Sequence, residues 1–150
     1  MIIDSSALAA ILLEEPDAGF YAATIAAAPV RRISAPSYVE LSAVLDGRRN
    51  PVLSGALDAT LTSSRIEVCP FTAAQARIAR DAYQRFGRGS GHPARLNMGD
   101  CFAYALARDL GEPLLFKGND FALTDIEIIT EPDRRKRLSE VVAAYEVAEV

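Results

Sequence analysis

The chain has little histidine and cysteine, and each shortage excludes a class of protein. His92 is the only histidine among 150 residues, so a histidine-rich metal site is impossible and a Ser-His-Asp triad would have to use this residue. Cys69 and Cys101 allow at most one disulfide, and Asp4 interrupts the N-terminal apolar run before a signal peptide can form. No stretch approaches the roughly 18 uninterrupted apolar residues of a membrane span. We therefore expect a cytoplasmic protein without membrane association, whose chemistry uses carboxylates.

The composition predicts one compact domain with a negative electrostatic field. Half of the residues are hydrophobic and 24% are charged, which is too apolar for a disordered chain. Sixteen Lys and Arg against 20 Asp and Glu give a formal charge of −4, so the molecule as a whole repels nucleic acid. A phosphate-bearing partner must therefore be held by local positive charge or by metal ions.

Short apolar segments alternate with helical patterns along the chain. Strands are predicted over residues 1–3, 31–35, 66–69, 114–116 and 126–129. Helices are predicted over residues 5–13, 17–28, 36–48, 50–63, 73–86 and 99–110. This alternation predicts an α/β/α sandwich around a mostly parallel sheet of about five short strands. In such sheets ligands bind outside the carboxyl ends of the strands.

Three local features accompany this pattern. Ser5 or Ser6 is the expected N-cap of the first helix. Residues 87–93, rich in glycine and without a hydrophobic anchor, are expected to form a mobile surface loop. Residues 132–150 are expected to form a helical extension separate from the domain at 1–131. Its apolar stripe can pack on a second copy of the chain or fold back on its own domain. The stripe comprises Leu138, Val141, Val142 and Tyr145.

Four acids stand at or near the predicted carboxyl edge of the sheet: Asp4, Glu40, Asp100 and Asp120. Helix capping, turns or pairing with arginine can explain each of the last three alone. Asp4 is harder to explain, because it ends a buried strand and has no adjacent basic residue. In one cleft the acids would repel each other by about 4 kcal/mol per close pair, so a cation is expected there. An all-oxygen site selects Mg²⁺ or Mn²⁺, and these ions suit the hydrolysis of nucleic acid.

The four acidic segments also resemble a known family. They read IIDSSA at 2–7, PSYVE at 36–40, LNMGDCFAYALA at 96–107 and LLFKGNDF at 114–121. In this order and spacing they are similar to the PIN domain family, and specifically to the VapC-type ribonuclease toxins of bacterial toxin–antitoxin systems. The resemblance extends from residue 1 to about residue 130.

The resemblance implies a fold, an activity and partners. It implies a five-stranded parallel sheet, a homodimer, Mg²⁺- or Mn²⁺-dependent endoribonuclease activity on RNA and inhibition by a VapB-type antitoxin. Asp4, Glu40, Asp100 and Asp120 match the acidic positions that bind metal and catalyse. Ser6 matches the hydroxyl that assists the metal shell from outside it. Asn119 stands where many relatives have a further acid.

Two alternative functions remain open at this point. An aspartate-based phosphotransfer enzyme would use Asp4 as nucleophile, although Ser6 stands where the haloacid dehalogenases have a second aspartate. A non-catalytic PIN-like binding module would keep the fold alone, but four retained acids argue against it, because unpaired buried charge is costly.

One row of polar residues also has two interpretations. Arg77, Arg80, Gln84 and Arg88 recur at helical spacing. They fit an RNA path beside the acids, or a solvated helix face with arginine–aspartate pairs.

Overall fold

Five short parallel strands form the central sheet. The computed structural model describes residues 1–148, without the side chains at positions 133–135 and 138. The strands are β1 (Ile2–Ile3), β2 (Arg32–Ser34), β3 (Glu67–Cys69), β4 (Leu114–Leu115) and β5 (Ile128–Ile129). They lie in the order β3-β2-β1-β4-β5, and every neighbouring pair is parallel. The predicted α/β fold is therefore confirmed.

The strand order reverses next to the central strand. The chain builds β1, β2 and β3 toward one edge, and β4 then returns to the other side of β1. The Asp4 amide donates to the Leu115 carbonyl at 2.9 Å, which continues the contact between β1 and β4 by one residue. In open α/β sheets the crevice at such a reversal is where ligands bind. The residues that follow β1 and β4 therefore flank the expected binding crevice.

Helices cover both faces of the sheet. They are α1 (Ser5–Leu12), α2 (Ala18–Ala27), α3 (Ala35–Asp46), α4 (Pro51–Ser63), α5 (Ala73–Phe86), α6 (Met98–Leu110) and α7 (Pro132–Ala148), with a short 3₁₀ helix at Asp120–Leu123. Alternate strand residues face opposite sides, as the pleat requires. Ile2 and Leu114 enter a core with α5 and α6, whereas Ile3 and Leu115 enter a core with α1–α4.

The predicted cap of α1 is wrong by one or two residues. The N-cap is Asp4 itself, whose carboxylate accepts the Ser6 amide, and neither Ser5 nor Ser6 occupies that position. A carboxylate is as good a cap as a hydroxyl, so the helix begins directly where β1 ends. Asp4 is thereby fixed at the junction of strand and helix.

The loop after α5 is anchored, which corrects the expectation that it has no anchor. The Arg88 amide donates to the Leu96 carbonyl at 3.0 Å, and the Leu96 amide donates to the Phe86 carbonyl at 2.9 Å. The His92 ring packs edge-on against Phe86, with 4.9 Å between centroids. The apolar anchors Ala94 and Leu96 are buried just beyond the glycine-rich stretch.

The C-terminal helix α7 folds back on its own domain. It packs against the 3₁₀ helix, and Tyr145 lies near His92 with 5.9 Å between ring centroids. Val141 keeps 51% of its surface exposed, so the predicted stripe is only partly covered, and the Leu138 side chain lies outside the described residues. The domain boundary at residue 131 stays a prediction. Among residues 1–148, no helix is long and apolar enough to cross a bilayer.

Candidate active site

Asp4 is a buried carboxylate at the end of the central strand. Only 6% of the residue is exposed, and its Oδ2 accepts the Ser6 amide at 3.0 Å and the Ser6 hydroxyl at 2.5 Å. Burial raises the pKa of Asp4, the bonds from Ser6 oppose that rise, and the charge of Asp120 adds to it. Ser6 Oγ also accepts the Lys117 amide at 2.9 Å. Ser6 therefore ties the end of β1 to the segment that follows β4.

Asp100 is held in the first turn of α6 by a capping box. Asn97 Oδ1 accepts the Asp100 amide at 2.8 Å, and Asp100 Oδ2 accepts the Asn97 amide at 2.7 Å. The pKa of Asp100 is raised to about 7, mainly by burial. The charges of Asp4, Asp120 and Glu40 contribute to this rise, and the bond from Asn97 opposes it. Asp100 is thus electrostatically coupled to all three other acids.

Glu40 reaches the same place from α3. Burial and the charge of Asp4 raise the pKa of its carboxyl group. A Cβ atom at Gly99 would lie 2.5 Å from both carboxylate oxygens of Glu40, so the glycine leaves room for this side chain against α6. The sequence interpretation missed this role of Gly99. Its signal was a glycine within a helix, where alanine would be about 1 kcal/mol more favourable.

Asp120 completes the group from the other side of the crevice. It begins the 3₁₀ helix after β4, is exposed, and raises the pKa values of Asp4 and Asp100 through its charge. The structure thus brings all four predicted acids to one edge of the sheet, with Ser6 beside them. Within the described part of the chain, no three His, Cys, Asp or Glu side chains form a ready-made metal-binding group. Instead, one carboxylate oxygen of Asp4 accepts the Ser6 amide, and one carboxylate oxygen of Asp100 accepts the Asn97 amide.

None of the basic side chains that the structure describes neutralises these acids. Among residues 1–148, no described lysine or arginine forms an ion pair with any of the four. Lys117 lies nearby in sequence, but its ammonium group pairs with Glu15 and, at 2.7 Å, with Asp17. The site therefore combines oxygen donors with uncompensated negative charge, a donor set that suits a hard cation such as Mg²⁺ or Mn²⁺.

Three members of the predicted row of polar residues line two different pockets. Arg80 and Gln84 line an apolar pocket of about 480 Å³ beside Phe71 and Phe102. Arg88, just after α5, lines another pocket of about 400 Å³, which includes Asp120. Of these three residues, Arg88 is the one that shares a pocket with a predicted acid.

Comparisons with known proteins agree with this geometry. The PIN domain family model matches residues 1–127. Ribonuclease VapC28 of Mycobacterium tuberculosis is 57% identical over 127 residues, which make up 85% of this chain and 96% of that protein. Two solved structures share the fold. One is Mycobacterium tuberculosis VapC20, a sarcin-ricin loop cleaving toxin, with a TM-score of 0.66 and 20% identity over 83% of this chain and 95% of that one. The other is a toxin–antitoxin complex from Klebsiella pneumoniae, with a TM-score of 0.65 and 18% identity over 86% of this chain and 95% of that one. The chain therefore belongs to the PIN domain family and, within it, to the VapC ribonucleases.

Proposed function

We propose that this protein is a metal-dependent endoribonuclease that hydrolyses RNA phosphodiester bonds and acts as the toxin of a toxin–antitoxin pair. The observation that carries the proposal is the convergence of four acids from four chain segments at the reversal of strand order. The relative VapC28 is named a ribonuclease, and the structural neighbour VapC20 is a toxin that cleaves RNA. Membership of the same family supports the same class of reaction here.

The metal ion in this proposal is Mg²⁺ or Mn²⁺. Asp4, Glu40, Asp100 and Asp120 would hold it, and the Ser6 hydroxyl would support the Asp4 carboxylate from outside the ligand set. When bound, such an ion lowers the pKa of a water molecule and neutralises charge on the phosphodiester. The all-oxygen donor set and the absence of basic partners at the described acids fit this ion.

The side chains themselves supply orientation. The hydrogen bonds from Ser6 fix the Asp4 carboxylate, and the capping box fixes Asp100. Both groups are therefore positioned before substrate arrives, which reduces the reorganisation that the reaction requires. Glu40 and Asp120 are more exposed and lie toward the solvent side, from which RNA would approach.

Removal of the metal and of single acids tests the catalytic proposal. Chelation with EDTA should abolish RNA cleavage, and Mg²⁺ or Mn²⁺ should restore it. Asp4→Asn, Glu40→Gln and Asp100→Asn should each lower kcat by about a hundredfold or more, because each removes a preorganised charge. Asp46→Asn, at the far end of α3, is the matched control and should retain activity.

Three results would contradict the catalytic proposal. They are full cleavage in excess chelator, wild-type activity of Asp4→Asn, and a phosphorylated Asp4 trapped without RNA cleavage. The last would favour the phosphotransfer alternative. If the protein binds RNA but does not cleave it with any added divalent metal ion, this result would favour the non-catalytic binding module.

The second part of the proposal concerns an antitoxin of the VapB type. A basic antitoxin side chain placed among the acids would compensate their charge and exclude the metal ion. The fold of this chain resembles that of one chain in the structure of a toxin–antitoxin complex, which supports such a partner. Co-expression with the adjacent small open reading frame should restore the growth of cells that express this chain in the cytoplasm. A purified pair that cleaves RNA at the full rate would refute inhibition.

The third part is a homodimer. Val39 and Val44 on α3 and Val52 on α4 are exposed apolar side chains, and a symmetric pair of chains would cover such a surface. Light scattering at micromolar concentration should give twice the chain mass. A monomer under these conditions would exclude the dimer without affecting the catalytic proposal.

A further inference from the structure

A pocket of about 400 Å³ adjoins the acids on the side of the 3₁₀ helix. Arg88 and Arg95 from the loop after α5, Asn119 and Asp120 from the segment after β4, and Val141 from α7 are among its lining residues. We propose that this pocket binds a backbone phosphate of the RNA substrate through Arg88 and Arg95, with α7 as its outer wall. This inference rests on the proposed ribonuclease function, because it assigns a path to the RNA that the acids would cleave.

The two arginines differ from the arginines with structural roles. Arg85 and Arg108 both pair with Asp125, at 3.0 and 3.7 Å, so their charges are already compensated. Arg88 and Arg95 are exposed, and neither forms an ion pair with a residue that the structure describes. Two uncompensated guanidinium groups at one pocket provide the planar donor geometry that binds phosphate oxygens.

The loop holds the backbone at both arginines in place. The bridge between Gly87 and Leu96 places Arg88 and Arg95 next to its two ends. Within the loop, the Ala94 amide donates to His92 Nδ1 at 3.2 Å, and the His92 ring packs on Phe86. A closed and packed loop loses less conformational entropy when its side chains bind a ligand. The backbone of the binding residues is therefore largely preorganised.

The neighbouring acid favours RNA over an acidic peptide. Asp120 belongs both to this pocket and to the candidate active site, so a strand in the pocket continues directly to the acids. RNA carries a phosphate at every linkage, so one phosphate can lie between the arginines while another reaches the metal-binding acids. The phosphate in the pocket is one that the enzyme does not cleave.

Helix α7 adds one wall residue to a pocket that is otherwise lined by the shared domain. The family model ends at residue 127, and 127 aligned residues account for 96% of VapC28, whereas α7 begins at Pro132. The helix packs on the 3₁₀ helix and contributes Val141 to the wall. The extension therefore helps to shape the path of the substrate.

RNA binding without cleavage tests the role of the arginines. Fluorescence anisotropy with a labelled single-stranded RNA in EDTA measures the affinity of the full chain over a series of salt concentrations. Arg88→Gln and Arg95→Gln should each weaken binding about three- to tenfold and reduce the slope of log K against log salt by about 0.7. Arg49→Gln is the matched control, because Arg49 is also exposed and lacks an ion pair among the described residues. Its backbone also has the same left-handed conformation, with a φ of 53° compared with 52° at Arg95. The control variant should change the affinity less than twofold.

A pair of valine variants tests the role of α7. Val141→Glu places a negative charge in the wall and should weaken RNA binding, whereas Val147→Glu, on the same helix at a 77% exposed position outside the pocket, should not. Equal effects of the two valine variants, or Arg88 and Arg95 variants that bind RNA like Arg49→Gln, would overturn the inference. Variants of Arg88 and Arg95 that lose antitoxin binding but retain RNA binding would overturn the inference as well.

These outcomes are distinct from failure of the proposed function. Acid-dependent cleavage by a protein whose arginine variants bind normally would reject the pocket alone. Absence of any cleavage by the wild-type protein with Mg²⁺ or Mn²⁺ would reject the function instead.

Discussion

Replacing Asp100 by asparagine should stabilise the protein when no divalent ion is present. The folded protein raises the pKa of this carboxyl group from 3.8 to about 7, mainly through burial. Such a difference corresponds to roughly 4 kcal/mol, and because the group is only partly buried, solvent screening leaves about 1–3 kcal/mol. The asparagine oxygen can still accept the Asn97 amide, so the capping box survives.

The stabilisation has a defined pH dependence. The unfolded chain ionises Asp100 near its ordinary pKa of 3.8, whereas the folded protein does so near 7. Between these values the folded state binds more protons, so the wild-type protein loses stability as the pH rises toward 7 and stays at the lower level above it. Asp100→Asn removes this loss. Its advantage should therefore be small at pH 4, about two fifths of its full size at pH 5 and complete at pH 8.

Thermal unfolding in EDTA at pH 5 and pH 8 measures this effect. At pH 8 the variant should melt about 2–12 °C above the wild type, given about 2–4 °C per kcal/mol for a domain of this size. Asp125→Asn is the opposite control. Burial raises the pKa of Asp125, but hydrogen bonds from Tyr104 and Arg85 and the charges of Arg85 and Arg108 outweigh it, so that the pKa is lowered and the loss of this carboxylate should destabilise the protein above pH 5. A melting temperature for Asp100→Asn that is unchanged or lower at pH 8 would refute the calculation.

Two further substitutions separate activity from stability. Gly99→Ala should lower kcat by about ten- to a hundredfold, because the new methyl group displaces the Glu40 carboxylate by roughly 1 Å. The same substitution should raise the unfolding free energy by up to about 1 kcal/mol, because alanine has a higher helix propensity than glycine in α6. Steady-state kinetics together with urea unfolding check both signs, and unchanged kinetics would show that Glu40 has room to move. Ser6→Ala removes two hydrogen bonds of the hydroxyl group, the one that it donates to Asp4 and the one that it accepts from the Lys117 amide after β4. The variant should lose about 1–2 kcal/mol in urea unfolding, and wild-type stability would show that another group replaces the hydroxyl.

The sequence predicts the order of elements well because the signals for them are local. The helix α5 begins after Thr72, a typical N-cap residue that accepts the Gln75 amide, and Gly111 ends α6 in the left-handed conformation. Asp4, Asp100 and Asp120 each follow a strand or begin a helix, and parallel strands bring such positions to one edge, whereas Glu40 lies within the helix after β2. Local chemistry and topology together predict the placement of the site.

The missing details depend on contacts between segments that are distant in the chain. Nothing near Gly99 in sequence shows that Glu40 lies against it, and nothing near Ser6 shows that it accepts the Lys117 amide. The anchoring of the loop after α5 was missed for the same reason, because it depends on Phe86 meeting the residues around Leu96. The catalytic roles of the four acids remain a prediction until the variants are measured.

The central position of β1 also determines when this protein becomes able to act during its own synthesis. Asp4 emerges from the ribosome among the first residues, but its neighbour strand β4 and Asp120 follow only after more than a hundred further residues. At about 5–20 residues per second, several seconds to some twenty seconds pass before the acids can meet. The four acids of a nascent chain therefore cannot assemble until nearly the whole domain has been synthesised.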